Sequence, residues 1–317
     1  MSLASLADHR AGFATLPDGL KLYWRVVGTG PPLVCCNGVG VSTFFYKYIV
    51  DGFRSDWSVL LWDYRGHGRS QVPADPQTAD LTVGRSAEDL AVVLDAAGLT
   101  EPAVLVGHSM GCQVILEFAL RFPARTRALI PMLGTFGRPL DTFMDFANAR
   151  PVFDIVQRLA KLGGRQGQRA LLPLYASPLA YRAAHWLGML DSNRASKADI
   201  ADYLDHLTEM DSRVFLRMVE QIADHDLEDR LPSLQTPTLV IAGRRDRFTP
   251  LHRSEQMAQL IENAEMLVLD GTHAAIVELP EDIEAAIKDF LRRRLPAPVS
   301  DDDASVASVS RPRRLRR

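Results

Sequence analysis

Short apolar runs alternate with amphipathic stretches along most of the chain, and each kind predicts an element. Residues 20–27 (LKLYWRVV) are rich in β-formers and lie between Pro17-Asp18-Gly19 and Gly28-Thr29-Gly30, so they predict a strand. The runs at 33–36, 58–62 and 103–106 are short, continuously apolar and followed by polar or glycine residues, the pattern of buried strands feeding loops. Between them, residues 87–97 carry Leu90, Val93 and Leu94 at helical spacing before Gly98, and 112–121 predict a second helix. A further strand is expected at 128–133. Strands that alternate with helices predict a parallel sheet covered on both faces.

The pattern changes at about Gly137. From there to Ser233 the apolar positions recur only at helical spacing. Val152, Ile155, Val156, Leu159 and Leu162 form one stripe, Ile200, Tyr203, Leu204 and Leu207 another, and Val214, Phe215, Met218 and Ile222 a third. Alternation resumes with strands at 238–242 and 266–269 and a closing helix near 283–293. The chain therefore divides into a first core part (1–136), a helical insertion (137–234), a second core part (235–295) and a tail (296–317). The tail has little to bury and ends in Arg-Pro-Arg-Arg-Leu-Arg-Arg, so it is expected to be disordered and solvated.

Composition narrows the function classes. The 317 residues are 47% hydrophobic and 24% charged, enough for a large core, and the net charge of −3 gives no reason to expect a nucleic-acid partner. No apolar run reaches the roughly 18 residues of a membrane span, and the first ten residues lack a signal-peptide pattern. Three cysteines make no disulfide framework, and no Cys or His pair has the spacing of a zinc site. Cytoplasmic residence is expected, with no metal and no cofactor. The oligomeric state is not readable.

Gly107-His108-Ser109-Met110-Gly111 matches G-x-S-x-G, and it sits where that motif has meaning, directly after a buried strand and directly before a helix. There the turn lifts the serine hydroxyl above the sheet while the glycines remove side chains that would collide. Serine is a weak nucleophile and needs an imidazole oriented by a carboxylate. Of the eight histidines, His273 alone both follows Ser109 and lies on a loop after a predicted strand outside the insertion. Asp246, at the end of strand 238–242, is the expected acid, with Asp270 and Asp141 as rivals. His108 is read as packing behind the turn.

These residues carry a resemblance. Together with Asn37-Gly38-Val39-Gly40, the segment Asp63-Tyr64-Arg65-Gly66-His67-Gly68-Arg69-Ser70, Gly243 to Asp246 with Pro250, and Gly271-Thr272-His273 followed by Glu278-Leu279-Pro280, the chain resembles the α/β-hydrolase superfamily, in the group with a helical cap. The resemblance implies an α/β fold: a mostly parallel central sheet flanked by helices, with an inserted helical cap. It also implies an oxyanion hole built from the backbone N–H groups of Val39 and Met110. One departure is Asn37, where the family usually has His; its amide is still able to pin the loop. Asp63 and Arg65 belong to a tight glycine turn and are read as structural.

The resemblance leaves the substrate open. Phe136, Phe143 and Met144, with Phe146 nearby, are expected to line an apolar substrate pocket, with Trp186, Met189, Phe215 and Met218 farther along the insertion. The leading expectation is hydrolysis of a carboxylic ester or lactone through a Ser109 acyl-enzyme. Alternatives with the same triad are carbon–carbon bond hydrolysis of ring-fission products, where Arg138, Arg150 or Arg158 would meet a carboxylate, and cofactor-free perhydrolysis. A ligand-binding protein without catalysis is the non-enzymatic alternative.

Overall fold

The computed structural model describes residues 9–142, 150, 151, 155, 190, 191 and 193–295. In chain order the strands are β1 (His9–Thr15), β2 (Lys21–Val27), β3 (Pro32–Cys36), β4 (Ser58–Trp62), β5 (Ala103–His108), β6 (Thr126–Met132), β7 (Thr238–Gly243) and β8 (Ala264–Leu269). The helices are α1 (Lys47–Phe53), α2 (Val83–Ala96), α3 (Met110–Arg121), α4 (Pro139–Thr142), α5 (Lys197–Glu209), α6 (Ser212–Ala223), α7 (Leu251–Leu260), α8 (Ala275–Glu278) and α9 (Pro280–Arg294).

One eight-stranded sheet runs in the order β1-β2-β4-β3-β5-β6-β7-β8. The β1–β2 and β2–β4 pairs are antiparallel, and all others are parallel. The pleat sends alternate residues to opposite cores. Val34, Cys36 and Leu105 join α2, α3 and α6 on one face. Leu33, Cys35, Val104 and Val106 join α1, α8 and α9 on the other. Strands buried on both faces must be continuously apolar, which is why 33–36 and 103–106 read so plainly.

Strand order reverses between neighbours β3 and β5, and their following helices cover opposite faces. A crevice opens at such a switch point, beyond the carboxyl ends of the strands. The loops after β3 and β5, with those after β7 and β8, meet at that end of the sheet.

Two elements escape the apolar pattern. In β1 only Ala14 is fully buried, so the strand carries no alternation and is held by its register on β2. In α1, Gly52 and the β-branched Ile49 and Val50 mask a helix that packs Ile49, Val50 and Phe53 into the core. Helix α2 starts at Val83, earlier than expected, because the Thr82 hydroxyl caps it by accepting the Arg85 N–H at 3.2 Å. Between β6 and β7, the described residues form helices and one isolated bridge, Gly137 to Asp226. The stripe expected at 152–162 lies outside the described residues apart from Ile155, as does the tail from 296. Cys35, Cys36 and Cys112 are buried free thiols, and no described helix is long and apolar enough to cross a membrane.

The turn after β4 is fixed by a buried ion pair. Arg65 lays its guanidinium on Asp89 of α2, Nε to Oδ2 at 2.6 Å and Nη2 to Oδ1 at 2.9 Å, and a third nitrogen reaches Asp18. Removing one partner strands the other charge in a dry site. Asp89→Ala is expected to cost about 3 kcal/mol, the low end for a buried pair because Asp18 remains. Urea unfolding of the variant measures this, and a change below about 1 kcal/mol would be the exposed-pair result.

Candidate active site

Ser109 sits at the junction of β5 and α3 with φ 56° and ψ −119°. A non-glycine residue in that region is strained and persists only where its surroundings hold it. Here the Ser109 N–H donates to the Met132 carbonyl at 3.2 Å, and its own carbonyl accepts the Cys112 N–H at 3.0 Å. The flanking glycines are required by close approach. A Cβ on Gly111 would lie 2.0 Å from the Cys36 oxygen, and one on Gly107 would lie 2.4 Å from the Gly111 oxygen.

Two further loops bring the imidazole and the carboxylate together. His273, after β8, donates through Nδ1 to Asp246 Oδ2 at 2.9 Å, which leaves Nε2 with the lone pair. Asp246, after β7, has a fully buried carboxylate. Its Oδ1 accepts the N–H groups of Phe248 and Thr249 at 2.9 and 3.0 Å, and its Oδ2 accepts the Thr249 hydroxyl at 2.7 Å. Burial alone would raise its pKa. The His273 imidazole and the Thr249 donors outweigh burial and hold the carboxyl below its usual range. Of the rivals, the Asp270 side chain is 63% exposed and ion-paired with Arg194 and Arg245, and Asp141 lies exposed on α4.

Aromatic contacts fix the His273 ring. Phe248 stacks on it with centroids 4.9 Å apart, and His108 approaches it at 4.9 Å. His108 also donates through Nε2 to the His273 carbonyl at 3.0 Å, tying the residue beside Ser109 to the imidazole's own loop. Burial pushes the His108 pKa down to about 3, so the ring is neutral.

The loop after β3 is held from several sides. Asn37 donates its amide to the Trp62 carbonyl at 3.1 Å and accepts the Tyr64 hydroxyl on its own carbonyl at 3.0 Å, while Tyr46 donates to the Cys36 carbonyl at 2.7 Å. The expected pinning of the loop by the Asn37 amide is thus present. His67 accepts the Gly40 N–H on Nε2 at 3.1 Å and donates through Nδ1 to the Arg65 carbonyl at 3.1 Å. Ser42 donates to the buried Asp63 at 2.6 Å. A Cβ on Gly38 would come 3.1 Å from Ser109 Cβ, so this loop lies directly against the serine. Among the described residues, no hydrogen bond engages the N–H groups of Val39 or Met110.

Phe136 lies in the core, fully buried with the Arg253 guanidinium 4.1 Å from its ring centroid, and offers no surface to a ligand. Met218 is buried in the same core and Phe215 is half-buried. Phe143, Met144, Phe146, Trp186 and Met189 lie outside the described residues, as does Arg158. Arg138 pairs with Asp226 at 2.8 Å, and Arg150 pairs with Asp224. Sequence reasoning passed over His67, Thr249 and Phe248. The signal for Thr249 was its position three residues after an aspartate, where a hydroxyl folds back onto the carboxylate. Among the described residues, no cluster of His, Cys, Asp and Glu could hold a metal.

Comparison with known proteins points one way. The family model described as alpha/beta hydrolase fold matches residues 31–280. A protein of Caulobacter sp. (strain K31) named "Putative carbamate hydrolase RutD" is 30% identical over 281 residues, which cover 86% of this chain and 96% of that protein. A solved hydrolase from Pseudomonas aeruginosa PA01 is similar at 25% identity and TM-score 0.71, covering 89% of this chain and 98% of that one. A thermophilic esterase from Thermogutta terrifontis is similar at 25% identity and TM-score 0.70, covering 90% of this chain and all 100% of its own.

The neutral buried imidazoles predict the acid limit of the fold. Burial lowers the pKa of His67 from 6.5 to about 4. The unfolded chain therefore binds more protons between those values, so stability is full above about pH 6.5 and falls as pH drops toward 4. For His67 the gap amounts to about 3 kcal/mol. Urea unfolding at pH 7 and at pH 4.5 is expected to differ less in His67→Gln than in the wild type; equal pH slopes would contradict the assignment.

Proposed function

The chain belongs to the α/β-hydrolase family, and on that premise we propose that it hydrolyses a carboxylic ester or lactone of a small, apolar substrate. The observation that carries the reading is the His273–Asp246 hydrogen bond of 2.9 Å, which leaves Nε2 as the free base on the loop bound to the residue beside Ser109. Ser109 Oγ attacks the carbonyl carbon as its proton passes to His273 Nε2. The tetrahedral oxyanion is received by the N–H groups of Val39 and Met110, each worth about 3–4 kcal/mol in such a site. Collapse expels the alcohol, which takes the proton back from His273. Water then attacks the acyl-enzyme by the same route and releases the acid.

A second reading comes from the 30% identical relative, whose name speaks of a carbamate. A carbamate also presents a carbonyl carbon to a serine, so the same residues would serve, with a carbamoyl-enzyme in place of the acyl-enzyme. Parallel assays on p-nitrophenyl esters of graded acyl length and on p-nitrophenyl carbamates separate the two by relative kcat/KM.

Ser109→Ala is expected to lose more than about 99% of p-nitrophenyl ester turnover and all labelling by a fluorophosphonate probe. Retention of either sinks the proposal. Asp246→Asn would turn an amide N–H2 toward His273 Nδ1 and force the wrong tautomer, with an expected loss of about 10⁴ in kcat while the fold persists. A loss below about tenfold would remove Asp246 from the triad.

A further inference from the structure

One buried carboxylate beside His273 is left unused by this mechanism. Glu278, the last residue of α8, is 6% exposed. Its Oε2 accepts the Thr272 N–H at 3.0 Å. Its Oε1 accepts the Thr272 hydroxyl at 2.5 Å and the Asp191 N–H at 2.6 Å. Two of these three donors come from the residue immediately before His273. Thr272 Oγ1 in turn accepts the Ala274 N–H at 3.2 Å, so both chain neighbours of His273 are tied to one carboxylate. Such charge-assisted bonds are roughly twice as strong as neutral ones and leave the loop little freedom.

The third donor extends the connection. Asp191 lies in the segment between β6 and β7, and its own carboxylate accepts Arg245 Nη2 at 3.0 Å. Arg245 directly precedes Asp246, and the same nitrogen donates to the Asp270 carbonyl at 3.1 Å. The loops of the acid and the base are therefore joined through His273 and Asp246, directly through Arg245 and Asp270, and again through Glu278, Asp191 and Arg245.

We propose that Glu278 is a positioning residue for the general base, setting the placement of His273 toward Ser109 by clamping Thr272. The inference rests on the reading of His273 as that base. The clamp needs acceptors at both oxygens, because three donors converge on the two. A glutamine of the same shape fails in both orientations. With its oxygen on the Thr272 N–H, its amide N–H2 faces the Asp191 N–H; turned over, it faces the Thr272 N–H.

Turnover of p-nitrophenyl acetate and the rate of fluorophosphonate labelling at Ser109 test this, with the thermal midpoint measured alongside. Glu278→Gln is expected to lower kcat and the labelling rate about tenfold with KM unchanged within about twofold, since a misplaced base slows chemistry more than binding. Thr272→Val removes the hydroxyl, and with it the bonds to Glu278 and to the Ala274 N–H, and is expected to lower kcat about threefold to tenfold, whereas Thr272→Ser, which keeps the hydroxyl, restores it. A folded Glu278→Gln protein with wild-type kcat overturns the proposal, as does an effect confined to KM. If Glu278→Gln does not fold, wild-type kcat in Thr272→Val overturns it. Failure of the underlying reading is distinct: Ser109→Ala or His273→Ala would then retain turnover whatever Glu278 does.

Discussion

The Cys36 oxygen lies 2.0 Å from the point where a side chain on Gly111 would begin. This contact of backbone on backbone, between the end of β3 and the first turn of α3, sets the scale of the whole site. It brings the loop after β3 against Ser109, with Gly38 so near that a Cβ there would press on the serine's own at 3.1 Å. Ser109, at the start of the same turn, stands at φ 56°, a conformation that costs about 1–3 kcal/mol and survives only when the surroundings allow no other. The strained serine and the close loop are one constraint seen from two sides. At Gly107 and Gly111 no side chain could be accommodated, because the neighbours there are main-chain atoms that cannot move aside.

Two buried aspartates at the same end of the sheet show how environment divides their roles. Asp63 accepts Ser42, Thr43 and Arg69, yet burial prevails over those donors and pushes its pKa up to about 6. Asp246 is buried as deeply, but the imidazole on its Oδ2 holds it below the ordinary range. Both feel a chargeable side chain, but the His273 ring bonds the Asp246 carboxylate directly, whereas the Arg69 guanidinium acts on Asp63 only through space. Asp63 serves to gather the loops after β3 and β4, whereas Asp246 is paired with the His273 imidazole.

Much of this was legible in the chain because Ser109 and Asp246 follow fully buried strands and His273 follows the half-buried edge strand β8. Continuous apolar runs mark such strands, and parallel topology places their carboxyl ends together, so Ser109, Asp246 and His273 stand out as candidates by position as well as residue type. The supports were harder to see. His67, Thr249, Phe248 and Glu278 act through the backbone or a neighbour's ring, and nothing in local spacing tells an imidazole that accepts a distant N–H from one that is simply buried. Strand β1 and helix α1 were hidden for a different reason: β1 gains its place from pairing, and α1 from three apolar contacts, without the periodicity that reveals an independent amphipathic element.

The weakest inference from sequence concerned the substrate, and Phe136 explains why. An apolar residue just after β6 satisfies the pattern of a pocket wall and of a core filler equally well, because hydrophobic burial is non-directional. The fold uses Phe136 as filler, under Arg253, and uses Val214, Met218 and Ile222 of α6 in the same core. The apolar stripe of α6 thus records how that helix docks, which consumes the signal a pocket would otherwise leave. Polar side chains are more informative there, because each buried one must be matched. Asp191 is the instance at hand: a residue of that segment that touches the loops of both His273 and Asp246, and so couples where the segment sits to how the His273 loop is held.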